Sequence, residues 1–232
     1  MNNTTIESNH KYLVGIVMVA MAAGLLIGYN IAVFIGAEQG LKAFFTGALD
    51  FVYTDQMHVF TAVTAVIGCI AGYYLSPLTV SRFGYKSTLM FAALLFLLSA
   101  LGCMSPEILL FEQGQPTYTL FIVFNIHRFI GGIGIGLALA VCIRHHGAVG
   151  RSKLVPWSLA AVVVGLLVAY IVCSLILGQH SNPVMESIGM GINRVLPESD
   201  PWTIAMGWRY MFGSEAIPAA LFILLISRKW VA

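Results

Sequence analysis

The sequence predicts an all-α integral membrane protein with six transmembrane helices. Two observations carry this: 59% of its 232 residues are hydrophobic against 9% charged, and the apolar residues gather into six long runs. Soluble domains carry roughly 25% charged residues. A water-soluble chain of this size would lack the charge to cover its surface, so the bilayer is the expected solvent for most of it. The formal net charge is +2, too small a basic excess for a nucleic-acid footprint, so no nucleic-acid partner is expected. Cys69, Cys103, Cys142 and Cys173 are far apart within apolar runs. They make no C-x-x-C pair and no disulfide or zinc framework, and read as small buried hydrophobes.

A spanning helix needs about 20 mainly apolar residues. The first run, residues 12–35, follows a polar stretch at 1–11 that reads as a cytoplasmic tail. It is too long for a signal h-region and no A-x-A-like site follows, so it is expected to stay as a helix. The next runs cover residues 58–75, 87–103 (the shortest), 118–143, 154–177 and 208–226. The one long connection, an outer loop at 178–207, holds Pro183, Pro197 and Pro201. Nothing divides the chain, so residues 1–232 are expected to form a single six-helix domain.

Basic residues in short loops set orientation. With the N-terminus inside, Lys11, Arg82, Lys86, Arg144, Arg151, Lys153, Arg228 and Lys229 fall on the cytoplasmic side, against Lys42, Arg194 and Arg209 outside. Both termini are therefore expected in the cytoplasm, with the chain multi-pass in the cell membrane. Asn3-Thr-Thr resembles a glycosylation acceptor, unused on that side.

Two ionisable residues fall within spans. Arg128 lies in the fourth and Glu215 in the sixth. An arginine at the bilayer centre costs about 2.5–3.5 kcal/mol on insertion scales, and such residues face a bundle interior or wet cavity and find a partner. Arg128 and Glu215 are therefore expected to face one cavity and compensate each other; the competing reading is that both snorkel toward the outer interface. Gly24 and Gly28 on the first helix, and Gly132 and Gly136 on the fourth, have the spacing that lets helix backbones approach in lipid. The glycine string is not a nucleotide loop, since no strand precedes it and no phosphate-binding lysine follows. His145 and His146 are adjacent, so on a helix they diverge and cannot form an i, i+4 metal pair. No nucleophile–base arrangement stands out. No enzyme activity, metal or cofactor is expected.

Six segments, in order, resemble the sugar porters of the major facilitator superfamily, most closely the bacterial D-xylose–proton symporters. Gly24-Leu-Leu-Ile-Gly-Tyr-Asn-Ile-Ala-Val33 is similar to the first-helix G-L-L-F-G-Y-D-x-A-V, and Ile67-Gly-Cys-Ile-Ala-Gly72 to the second helix. Ser81-Arg-Phe-Gly-Tyr-Lys86 resembles the inner-loop D/N-R-x-G-R-R. The run from His127 to Ala138 resembles R-x-x-x-G-x-G-x-G, Gly150-Arg-Ser-Lys-Leu-Val155 resembles R-G-K-L-V, and the run from Gly207 to Ala219 is close to the sixth-helix string. The resemblance covers essentially the whole chain and implies the amino-terminal half of a twelve-helix transporter, with helices one to three and four to six related as an inverted repeat.

It also implies roles. Arg128 and Glu215 match the family's pathway arginine and glutamate, and Asn30 stands where the proton-coupling aspartate would be. Asparagine cannot ionise, so coupling through that position is expected to be lost. The cavity wall would hold Ile27 in place of an aromatic residue, and Leu159 and Leu166 in place of sugar-binding glutamines. The inner gate would hold Arg82, Lys86, Arg144 and Arg151, with Arg144 reversing the charge of the family's acid. The expected activity is sugar-porter-like transport of a small carbohydrate of the xylose or hexose class. It is expected from a half-transporter completed by a second copy or a separate second half, in a lipid bilayer, and not proton-coupled through Asn30. The alternatives are a non-transporting, porter-derived partner or regulator, and a truncated inactive product.

Overall fold

The computed structural model describes residues 3–109, 115–144, 147–178 and 203–227. Among these every regular element is helical, and no strand occurs. The elements are α1 (Asn3–Thr46), α2 (Asp55–Met104), a 3-10 turn (Pro106–Leu109), α3 (Tyr118–Arg144), α4 (Gly147–Gly178), a π turn (Thr203–Gly207), α5 (Trp208–Ser214) and α6 (Ala216–Ser227). The long loop expected at 178–207, and His145 and His146, lie almost wholly outside the described residues.

Five helical stretches are long and apolar enough to cross a membrane, and the second of them holds two spans. A straight 50-residue α2 would be about 75 Å long, over twice the hydrocarbon thickness. It is not straight: Gly84 sits at φ 79° and ψ 170°, a conformation natural only to glycine. Contacts with α3 show the consequence. A Cβ on Gly132 would meet the Ala65 carbonyl and one on Gly134 the Ala92 carbonyl. Positions 65 and 92 would be about 40 Å apart on a straight helix, yet here they flank neighbouring residues of α3. The chain turns back at Gly84, giving limbs at 55–83 and 85–104, so the five stretches found among the described residues hold six spans.

The first helix is longer than its apolar run. It continues to Thr46, so Lys42, placed in an outer segment by its sequence position, is helical, as is Glu38. The sixth span is broken instead. Pro218 has no N–H for the carbonyl of Ser214 four residues back, and the chain tightens there, with the Glu215 N–H donating to Phe212 O at 3.1 Å. Residues 208–227 thus form α5 and α6 with Glu215 at the joint.

Two glycine seams hold the bundle together, and they match position for position. On α1, a Cβ at Gly24 would strike the Ser158 carbonyl and one at Gly28 the Val162 carbonyl and Leu166 nitrogen of α4. On α3, Gly132 meets the Ala65 carbonyl, and Gly136 the Cys69 carbonyl and Tyr73 nitrogen of α2. Both partners step by four residues on each side. The return contacts correspond as well: Gly165 lies against the Leu25 carbonyl and Gly72 against the Ile133 carbonyl. Spans one and five thus pack as spans four and two do, the relation an inverted three-plus-three repeat requires. Close packing of small residues is the main device for helix association in lipid.

The core has two apolar clusters. One is rich in aromatic rings, including Phe45, Phe124, Trp208 and Phe212; the other is mainly aliphatic, with Leu26, Leu137 and Phe222.

Candidate transport site

A polar layer lies between the two clusters. Along α1 it falls between Leu26 and Val33, along α3 between Phe124 and Leu137, and along the sixth span between Phe212 and Ala219. Among its residues are Asn30, Arg128 and Glu215, and the buried Asn125 and His127 lie in the same stretch of α3. Arg128 is 4% exposed and Glu215 1%. Both therefore point inward, and the snorkelling alternative does not hold.

Their compensation is indirect. The Asn30 Nδ2 donates to Glu215 Oε1 at 3.1 Å and to Oε2 at 3.0 Å. Arg128 Nη1 makes a long contact of 3.5 Å to Asn30 Oδ1. Among the described residues no ion pair within 4 Å joins Arg128 to Glu215, so the Asn30 amide stands between a base and an acid. A carboxamide suits that place, since its nitrogen donates to the acid while its oxygen accepts from the base. The Arg128 guanidinium also lies over two rings, 4.8 Å from the centre of Phe34 and 5.3 Å from that of Phe212, a cation–π arrangement favoured away from water. Its Nε is buried with no hydrogen-bond partner.

The joint that presents Glu215 is tied to α1. Tyr29 donates its hydroxyl hydrogen to Ser214 Oγ at 2.9 Å, and Ser214 donates to Met211 O at 2.6 Å. A serine bonding back to its own helix bends it, which reinforces the effect of Pro218. Sequence reasoning singled out neither Tyr29 nor Ser214, nor the rings of Phe34 and Phe212. Pro218, within one turn of an intramembrane acid, was the available signal for the joint.

The expected cavity wall is apolar. Leu159 is 60% exposed, and Ile27 and Leu166 are half-buried. α1 and α4 run parallel across their seam, and a 100° step per residue places Ile27 and Asn30 on the same side of it as Leu159 and Leu166. Of the expected gate, Arg82 is exposed and Lys86 half-buried beside the Gly84 turn, whereas the side chains of Arg144 and Arg151 lie outside the described residues. Gly24, Gly28, Gly132 and Gly136 occupy the seams.

Arg209 differs from expectation. Placed by its sequence position in an outer segment, it is 4% exposed. Its Nη1 donates to both carboxylate oxygens of Glu107 at 2.5 Å, and its guanidinium lies 5.2 Å from the ring centre of Phe44. The pair fastens the start of α5 to the 3-10 turn.

Comparison with known proteins accounts for this architecture. A model of the family described as "Sugar (and other) transporter" matches residues 16–228. The chain is 33% identical over 243 residues to the D-xylose-proton symporter of Escherichia coli K12, covering 97% of this chain and 46% of that one. It is 25% identical to the glucose facilitated diffusion protein of Zymomonas mobilis, covering 95% of this chain and 43% of the other. A partially occluded, inward-open structure of the E. coli xylose transporter XylE superposes with a TM-score of 0.74 at 32% identity, over 93% of this chain and 49% of that one. The chain thus spans about half the length of the relatives it matches, with the fold of the major facilitator superfamily. It belongs to the sugar transporter family.

Proposed function

We propose that the chain forms one wall of a transmembrane pathway for a small carbohydrate of the xylose or hexose class, and that movement through it is not driven by protons. A second six-helix half, either another copy or a separate half, faces this wall. Both termini lie in the cytoplasm, as the loop charges favour. The family, and relatives named as symporters or diffusion proteins for xylose, glucose and arabinose, support the substrate class.

The observation that carries the reading is the charge count around Asn30. Among the described residues, Asn30 bonds one basic side chain, Arg128, and one acid, Glu215, and joins them through a neutral amide. Asn30 has no proton to give or take. Protonating Glu215 would leave a buried guanidinium without a counter-ion, which costs several kcal/mol. Asn30 therefore cannot carry a proton in each cycle, and a proton moved onto Glu215 would have to bear that cost. The apolar wall at Ile27, Leu159 and Leu166 leaves hydroxyl recognition to Arg128, Asn30 and the facing half.

The test is uptake of labelled xylose and glucose into proteoliposomes holding the purified chain, with and without an imposed proton gradient. Equilibration above empty vesicles, with no accumulation when the outside is acidified, is expected. Accumulation driven by the gradient would refute the uncoupled mechanism. Absence of any uptake, with no second half recovered alongside the chain, would refute transport and favour a binding partner.

A further inference from the structure

Phe34 touches two cationic or titratable groups. Its ring carries the Arg128 guanidinium at 4.8 Å and stacks on the imidazole of His58, with centres 5.6 Å apart and planes at 26°. His58 sits in the first turn of α2 and is 7% exposed, at the end of the bundle where α1 terminates. Its neighbours are few. From α1, Glu38 Oε1 lies 3.5 Å from His58 Nε2, and Lys42 lies 3.4 Å from the same carboxylate. From the connecting loop, the Tyr53 hydroxyl lies 3.2 Å from His58 Nδ1. From α2 itself, Asp55 lies 3.7 Å from Lys42. From α3, the nearest charge is Arg128, across the Phe34 ring.

We infer that His58 is a pH-sensing site at this end of the bundle, read into the transport layer through Phe34. The inference rests on the transport reading for its effect but not for its geometry. Burial pushes the Tyr53 hydroxyl up to about 12, so it stays protonated and available to His58 throughout the physiological range. Neutral His58 satisfies both neighbours, accepting from Tyr53 at Nδ1 and donating toward Glu38 at Nε2. Protonation turns it into a cation that draws Glu38 closer and competes with Lys42 for that carboxylate. It also places a second cation on a ring already serving Arg128. One aromatic face is a limited source of negative potential, and two cations with centres 4.8 and 5.6 Å from that of one ring repel in a medium of intermediate dielectric. Acid at His58 therefore loosens the hold of Phe34 on Arg128, which in turn anchors Asn30. Histidine is the side chain whose ordinary titration lies nearest physiological pH, and Asn30 itself cannot ionise. Protons would then regulate the rate without driving the substrate.

The test has two readouts on the full chain. The first is histidine-ring NMR with labelled imidazoles in nanodiscs, with His58→Gln used to assign the signal. Arg128→Gln is expected to raise the His58 midpoint by about one pH unit, and Glu38→Gln to lower it by a similar amount. A midpoint unmoved in Arg128→Gln, with the Glu38→Gln shift present to show a working assay, would overturn the link. Phe34→Leu is the second variant should Arg128→Gln fail to fold, and it should narrow the response of His58 to the site. The second readout is uptake at equal pH on both sides of the membrane. It is expected to fall from pH 7.5 to 5.5 in the wild type and to stay level in His58→Gln. A fall of equal size in His58→Gln would overturn the sensing role. Loss of uptake under all conditions would sink the transport reading while leaving the NMR shifts to decide the coupling.

Discussion

The side chain of Asn30 holds both carboxylate oxygens of Glu215, at 3.1 and 3.0 Å, across 185 residues of chain. This bond joins the first span to the joint of the sixth and sets the charge state of the layer. It also makes the site sensitive to changes of one atom.

Replacing Asn30 by Asp substitutes an oxygen for the donating nitrogen. Two carboxylates would then face each other directly, with Arg128 in contact with only the new one, and like charges at that distance cannot both stay ionised without cost. One would bind a proton more readily in the folded protein than in the unfolded chain. A group with a raised folded-state pKa stabilises below that value and loses its contribution as pH rises. Asn30→Asp is therefore expected to approach wild-type stability near pH 5 and to fall below it by about 2 kcal/mol or more at pH 8. Thermal unfolding in detergent at the two pH values measures this, and equal deficits at both would contradict it.

Glu215→Gln leaves Arg128 buried without a counter-ion. The expected loss is about 3–5 kcal/mol. The companion Arg128→Met/Glu215→Leu, which removes both charges, should be closer to the wild type in stability. A double variant as unstable as Glu215→Gln alone would show that shape, not charge balance, sets the cost.

The twin seams predict matched costs. Gly28→Ala and Gly136→Ala each push a methyl group into a backbone carbonyl of the neighbouring helix, and overpacking of this kind costs about 1–3 kcal/mol. The two losses should agree within a factor of two. Gly84→Ala should also destabilise, by about 1–3 kcal/mol, but through its positive φ, since no atom lies near the added methyl. Denaturation of the wild type and the three variants side by side measures these costs, and a Gly84→Ala protein as stable as the wild type would contradict the strain at φ 79° and ψ 170°.

The Arg209–Glu107 pair, its arginine buried and its glutamate half-buried, predicts a further asymmetry. Arg209→Gln should cost about 3–5 kcal/mol, while Arg209→Met with Glu107→Leu should cost much less. A thermal-shift series in one detergent decides it, and equal losses would show that the pair adds net stability beyond its own desolvation.

Much of this was legible in the sequence for physical reasons. Arg128 and Glu215 stand out because charge inside an apolar run is costly, and the four seam glycines because their spacing of four brings them to one face. The six spans follow from hydropathy even where the helix does not: residues 58–75 and 87–103 lie on one long α2 that turns back at Gly84. Other features were hidden because hydropathy measures solvation rather than hydrogen bonding. The end of the first apolar run at residue 35 gave no sign that the helix continues to Thr46, since backbone bonds satisfy the chain equally well beyond the hydrocarbon. Arg209 looked like a loop cation because its partner, Glu107, lies 102 residues away. Tyr29, Phe34 and His58 are ordinary residues at ordinary places, and only the fold brings them to the polar layer or within one ring of it.

The glycine seams bear on what kind of motion is available. Each seam interlocks backbone with backbone at three or more levels, like splines on a shaft. Sliding one helix along its partner would force a carbonyl over a Cα at every level at once, so axial slip between spans one and five, or two and four, is blocked. Tilting of each locked pair as a unit meets no such obstacle. Movement that opens a pathway to one side and then the other should therefore leave the distances across both seams unchanged and appear as rotation between the two pairs, with the polar layer at the crossing.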